Sequence, residues 1–301
     1  MFDIGGRGDK SFNDAAYAGL ERAKNELGVR FSTLETSEGS DREAQLRQLA
    51  EGDAKIVFAV GFLFTDDVRV LAKEFPDRKF GCIDYTVDLK DTIPPNLVAL
   101  KFREEEGSFL VGALAGLLTK TGKVGFVGGM EIPLIRKFQA GYVAGVKAVN
   151  PGAQVMVKYA GTTGAAFKDP TKGKELALAE YHGGADIIFH ASGSTGLGVF
   201  EAARELKKLA IGVDSDQYDE APGVVLTSMV KRVDTAVFDT IRELKDGHWR
   251  GGVRDFGLAE QGVSWVYDDR NKALVPDAVK ARVDSLQALI VAGTLHVPTE
   301  P

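Results

Sequence analysis

The chain is poor in the residues that build metal centres and disulfide frameworks. Its 301 residues include one cysteine, Cys82, and four histidines, His182, His190, His248 and His296. A single thiol excludes an internal disulfide and any Cys-x-x-Cys pair. The histidines lack metal-ligand spacing, so no metal site is expected. Cys82 lies in the apolar run Phe80-Gly81-Cys82-Ile83, which suits a buried structural thiol. No run of about 18 apolar residues occurs, so no transmembrane helix is expected. A basic surplus is also missing: 37 lysines and arginines face 43 aspartates and glutamates, for a net charge of -6. A chain of that sign has no excess cation to neutralise phosphates, which argues against general nucleic-acid binding.

Signatures of enzymatic chemistry are equally scarce. No Ser/His/Asp or Cys/His arrangement suggests itself, and the phosphate cradle GxxxxGK[ST] is absent. Gly5-Gly6-Arg7-Gly8 fits the dinucleotide pattern GxGxxG too loosely to imply one. Neither an enzyme nor a cofactor is therefore expected. No low-complexity tract or short repeat interrupts the chain.

What is present describes a globular protein, with 44% hydrophobic and 27% charged residues. The length suffices for two domains around two cores. The chain opens on Met1-Phe2-Asp3-Ile4, short for a core strand of about five or six residues. The expectation is a clipped first strand or a start further upstream, and no signal peptide is read there. A glycine-rich turn follows, and a helix opens near Ser11 with Phe12 on its first turn.

From there strand and helix alternate regularly. Asp14 to Leu27 reads as a helix stopped by Gly28, and Val29 to Glu35 as a strand. Asp41 to Glu51 reads as a helix capped by Ser40. Lys55 to Gly61 is a buried strand, Asp66 to Phe75 a helix, and Lys79 to Asp84 and Leu97 to Phe102 two more strands. A second set begins with a helix from Glu104, opened by Glu104, Glu105 and Glu106 and rich in small residues suited to close packing. Strands are then read at Lys123–Gly129, Gln154–Ala160, Ile187–Ala191 and Leu209–Val213, with helices at Pro133–Val149, Pro170–His182 and Thr195–Lys207. This predicts an α/β protein with two doubly wound parallel sheets.

The end breaks the beat. Val224 to Val230 and Gly257 to Val266 read as strands, and Asp234 to Leu244 and Val279 to Ala292 as helices. A lone helix–strand unit after the second half is most economically a return to the first lobe. The expected lobes are 1–102 with about 231–260, and 103–230 with about 261–301. Several crossovers would join them, as a hinge-bending protein requires, with a ligand cleft between.

In open α/β sheets, ligands bind beyond the carboxyl ends of the strands. Those tips carry Asp3, Asp84 in Ile83-Asp84-Tyr85, Gly193 in Ser192-Gly193-Ser194, and Asp214 with Asp216 beside it. Phe12 and Phe167 lie in the adjoining loops, Asn13 follows Phe12, and Lys231 follows Thr227-Ser228-Met229-Val230. Each has a plain structural alternative. The carboxylates could serve turns, Ser11 or Asn13 could cap a helix, Phe167 could be a hydrophobic staple, and Lys231 a solvated charge. Taken together they suit a sugar attached to a flat base. Carboxylates accept paired hydrogen bonds from vicinal hydroxyls, an ammonium donates, and rings stack.

Four segments carry a family resemblance: Phe2 to Asp14, Gly128-Gly129-Met130-Glu131-Ile132-Pro133, Phe167-Lys168-Asp169-Pro170 and Gly212-Val213-Asp214-Ser215-Asp216-Gln217. They resemble the basic membrane protein family, substrate-binding lipoproteins of bacterial ABC importers that include purine nucleoside receptors. The likeness runs through Leu295-His296-Val297-Pro298 and implies a type I periplasmic-binding-protein fold. It also implies that Phe12 and Phe167 sandwich the base, that Asp214 and Lys231 hold the ribose, and that Asp84 and Asn13 address the base edge. Asp3 and Gly193 would complete the wall. The implied ligand is a nucleoside of the adenosine, guanosine or inosine type, and the implied partner an ABC permease in the cell membrane.

A monomer is expected, with no nucleic acid and no cofactor. The implied location is periplasmic or a cell-surface lipoprotein, although this chain shows no export signal and Cys82 cannot serve as the lipid anchor. The alternatives are a receptor for a free sugar or other small solute, and a nucleoside-processing enzyme or intracellular sensor. The sensor reading carries the expectation of a DNA-binding headpiece, and none is read ahead of Phe2.

Overall fold

The computed structural model describes residues 1–36, 41–87 and 92–301. In chain order the elements are α1 (Phe12–Leu27), α2 (Arg42–Glu51), β1 (Ile56–Val60), α3 (Thr65–Glu74), β2 (Lys79–Ile83), β3 (Leu97–Phe102) and α4 (Glu104–Leu118). There follow β4 (Lys123–Met130), α5 (Pro133–Val149), β5 (Gln154–Gly161), α6 (Pro170–His182), β6 (Ile187–Ala191), α7 (Thr195–Leu206) and β7 (Leu209–Asp214). The chain ends with β8 (Val225–Lys231), α8 (Val233–Lys245), β9 (Gly252–Phe256), β10 (Val263–Trp265) and α9 (Asp277–Val291). The cap expected at Ser40 lies outside the described residues.

Two compact units emerge. The first comprises Met1–Asp9, Asn13–Phe102 and Arg232–Phe256; the second comprises Lys10–Phe12, Arg103–Lys231 and Gly257–Pro301. The first turn of the chain is thus divided, because Lys10–Phe12 packs with the second unit while its neighbours belong to the first.

In the first unit the sheet runs in the order β1-β2-β3-β9, parallel throughout. Phe2 extends it through parallel bridges to Val60 and Glu35. Among the described residues, the strand expected over Val29 to Glu35 is reduced to that bridge. The Phe2 N–H donates to Leu34 O at 2.9 Å. Leu46, Val57, Phe64, Val68, Leu71, Phe80, Tyr85 and Leu97 fill one core. Each such side chain stabilises the fold by about 1.5–3 kcal/mol relative to exposure. Cys82 is fully buried among them, and burial pushes its thiol well above the usual range.

The second unit's sheet runs β10-β8-β7-β6-β4-β5. It is parallel except at the β10 edge, which pairs antiparallel with β8. Val127, Tyr181, Ile188, Val199, Phe200 and Ala210 form one apolar cluster. Elsewhere in this unit Phe126, Tyr142 and Phe189 pack ring to ring, with centroids 5.3–6.2 Å apart. The glycine-rich α4 packs closely on α5. A side chain at Gly112 would collide with Tyr142 O, and one at Gly141 with Glu105 O. That approach sets the first turn of α4 beside residues 137–141 of α5.

The strand expected over Gly257 to Val266 is shortened to β10, Val263–Trp265. Residues 257–262 form a turn closed by Gly257 N–H to Glu260 Oε2 (2.8 Å) and Gly262 N–H to Gly257 O (2.8 Å). The strand that joins β3 lies earlier, at Gly252–Phe256.

Candidate functional site

Asp3, Asn13 and Asp84 belong to the first unit. Asp3 follows the Phe2 bridge, Gly61 follows β1, and Asp84 follows β2. These neighbouring sheet positions put Asp3 against the Gly61 backbone, where any side chain at 61 would strike its carboxylate. Both aspartates are buried. Burial is the main cause that pushes the Asp3 carboxyl up to about 7, and Asp84 adds to it, against the Ile4 N–H and Arg42. Asn13 accepts from Asp3 N–H at 3.3 Å and donates through Nδ2 to Asp9 at 3.0 Å.

The helix-capping alternative is also corrected here. The Asp9 carboxylate accepts from Asn13 N–H (2.8 Å) and Asp14 N–H (3.1 Å), satisfying first-turn donors of α1. Ser11 Oγ instead donates to Asp214 Oδ2 at 2.5 Å.

The second unit holds Phe12, Phe167, Gly193, Asp214 and Lys231. Asp214 ends β7 with φ 64°, and Asp84 ends β2 with φ 61°. Left-handed backbone at a non-glycine residue costs energy and concentrates at functional sites. Gln217 holds the β7 tip: its Oε1 accepts from Val213 N–H at 2.8 Å, and its Nε2 donates to Lys10 O at 3.0 Å. The same Oε1 lies 3.0 Å from His190 Nε2, and His190 Nδ1 is 3.3 Å from Ser192 Oγ. Burial lowers the His190 pKa to about 4, so this imidazole stays neutral. Asp216, beside Asp214, is paired with Arg270.

Phe167 closes the turn before α6, and its ring lies over the backbone of Gly129, where a methyl group would overlap it. Ser194 Oγ donates to Phe167 O at 3.1 Å, and Thr195 Oγ1 to Ala166 O at 2.8 Å, tying this turn to the Gly193 loop. Gly193 has φ 57° and sits 2.9 Å, by its absent Cβ, from Phe167 O. Phe12 and Phe167 are both half-buried.

Lys231 is no solvated surface charge: it is 2% exposed. Its Nζ lies 2.9 Å from Glu104 Oε1, 5.1 Å from the Phe12 ring centre and 5.7 Å from that of Phe138. Glu104, fully buried, also receives Lys137 Nζ at 2.6 Å, and Lys137 lies 3.2 Å from Glu105. Burial opposes ionisation of Glu104, but Lys231 and Lys137 outweigh it and hold the carboxyl below its usual range. Within this unit a ring, a cation and a carboxylate thus meet on one patch, set by Lys10–Phe12, β7 and β8.

Sequence reasoning missed Ser11 as the partner of Asp214, Gly129 as the floor beneath Phe167, and Glu104 as the counter-ion of Lys231. Only Gly129 left a signal, as half of a Gly-Gly pair ending a strand.

Known proteins define the class. A solved solute-binding protein of an ABC transporter system from Aeropyrum pernix is 28% identical, with 99% of this chain and 92% of that one covered and a TM-score of 0.89. Such proteins bind and do not transform their solutes, and this chain is a solute-binding protein, with a small-molecule ligand and a permease partner, and not an enzyme. It belongs to the basic membrane protein family, described as ABC transporter substrate-binding protein PnrA-like, which matches residues 1–300. Basic membrane protein A of Borreliella burgdorferi is 36% identical over 97% of this chain and 84% of its own length. An uncharacterised lipoprotein of Pyrococcus horikoshii is 38% identical over 88% of this chain and 67% of its own length. The α/β architecture with parallel sheets is that of type I periplasmic solute-binding proteins.

Proposed function

We propose that this protein captures a nucleoside, with a purine base preferred, and delivers it to the permease as a monomer. Phe12 and Phe167 sandwich the base, Asp214 and Lys231 hold the ribose hydroxyls, and Asp84 and Asn13 address the base edge. Asp3 and Gly193 complete the wall. The observation that carries this reading is the patch where the Lys231 ammonium lies 5.1 Å from the Phe12 ring while Ser11, the residue before Phe12, is bonded to Asp214. A free pentose needs the carboxylate and the ammonium but not the ring. A free base needs the ring but not the pair of polar groups.

The proposed location is outside the cytoplasm, in the periplasm or as a cell-surface lipoprotein. Relatives named lipoprotein and basic membrane protein support it.

Mass spectrometry of the small molecule released on denaturing the purified protein tests the proposal. A nucleoside is expected. Release of a free sugar, or a stripped protein that binds none of adenosine, guanosine and inosine, overturns it.

A further inference from the structure

We propose that Glu104 is a positioning residue for ligand capture: anchored at the start of α4, it fixes the ammonium of Lys231 where the ligand's hydroxyls meet it. The inference rests on the reading that Lys231 holds the ribose.

Lysine is a compact charge on a flexible four-carbon stem, so a lysine that reads hydroxyl geometry needs something to hold it. Here Lys231 ends β8 and is enclosed. Glu104 Oε1 takes it at 2.9 Å, and the Phe12 and Phe138 rings lie 5.1 and 5.7 Å from it. Glu104 is anchored in turn, because its Oε2 accepts from Lys137 Nζ at 2.6 Å and Lys137 lies 3.2 Å from Glu105. Two carboxylates and two ammonium groups alternate along this chain of contacts and neutralise one another. An isolated ion of this burial would be costly, whereas the alternating set is compensated. The close approach of α4 and α5 at their glycines fixes the spacing of Glu104 and Lys137. Glu104 therefore supplies direction to Lys231, and Lys137 supplies the balance that lets Glu104 remain charged.

The test measures affinity for inosine and for 2′,3′-dideoxyinosine, which lacks the 2′ and 3′ hydroxyls, in five variants of the full chain. Glu104→Gln is expected to weaken inosine about tenfold, the scale of one hydrogen bond to a charged group, and to leave dideoxyinosine within about twofold. Lys231→Met is expected to do the same, and the double variant to lose no more than either single one, as residues acting through one contact do. Glu104→Asp keeps the charge and shortens the reach; it guards against misfolding of the glutamine variant and is expected to shrink the same preference. Lys137→Met, which leaves the Lys231–Glu104 contact in place, is expected to keep more of the preference than Glu104→Gln.

If Lys231→Met binds inosine as the unaltered protein does, the nucleoside reading of Lys231 fails. If Lys231→Met is weakened while Glu104→Gln and Glu104→Asp keep the full inosine preference, the positioning role fails and the reading stands. Additive losses in the double variant, or equal losses for both ligands in Glu104→Gln, also overturn the positioning role.

Discussion

Ser11 Oγ donates to Asp214 Oδ2 over 2.5 Å, joining the turn that carries Phe12 to the tip of β7. The contact is possible because Asp9 satisfies the amides at the start of α1 and leaves the serine hydroxyl for Asp214. It also aims a carboxylate held at φ 64°, a conformation that needs support from its surroundings. Ser11→Ala is expected to weaken nucleoside binding about five- to tenfold and to lower stability by about 1 kcal/mol, the worth of one such bond. Calorimetric titration and urea denaturation check both. Unchanged affinity would mean that Asp214 needs no aiming.

Gly129 should control binding without touching the ligand. An added methyl overlaps the Phe167 ring, so Gly129→Ala displaces that ring. Its effect on nucleoside affinity is expected to match that of Phe167→Ala, about 1 kcal/mol or roughly fivefold, and the pair should not be additive. A Gly129→Ala protein with full affinity would show that the ring has no part in binding.

Glu180 offers a pH signature away from the proposed site. Its side chain is fully buried against Gly125, and neither carboxyl oxygen has a hydrogen-bond partner among the described residues. Burial pushes its pKa from 4.5 to about 9, with Lys158 working against the rise. The folded protein therefore keeps a proton that the unfolded chain releases. This contribution to stability is complete below 4.5 and is lost as pH rises towards about 9, at ~1.4 kcal/mol per pH unit. Denaturation at several pH values across that window should show a shallower decline for Glu180→Gln. Parallel curves would contradict it.

Much of the fold is legible in the sequence because buried parallel strands are continuous apolar runs. Ile56–Val60 and Ile187–Ala191 could be little else. The strand at Gly252–Phe256 was not legible, since it alternates half-buried and exposed positions, includes Arg254 and Asp255, and begins on a pair of glycines. Val29 to Glu35 misleads for the opposite reason: its pattern suits a strand, but among the described residues it makes only the Glu35 bridge to Phe2.

Among the candidate residues, tips such as Asp84 and Asp214 are readable because a charge closing an apolar strand is conspicuous. Glu104 is not, because an acid on the first turn of a helix ordinarily serves the helix dipole. Its partners Lys137 and Lys231 come from α5 and β8, and only the folded second unit brings them to it.

The account turns on a flat ring gripped together with its sugar. Isothermal titration of the ligand-free protein with inosine, hypoxanthine and D-ribose, repeated on Phe12→Ala and Phe167→Ala, tests this most directly. The expected result is saturable inosine binding that exceeds both fragments and falls about fivefold or more in each variant, the scale of a lost stacking partner. Ribose binding as tight as inosine, or inosine binding indifferent to both substitutions, would contradict it.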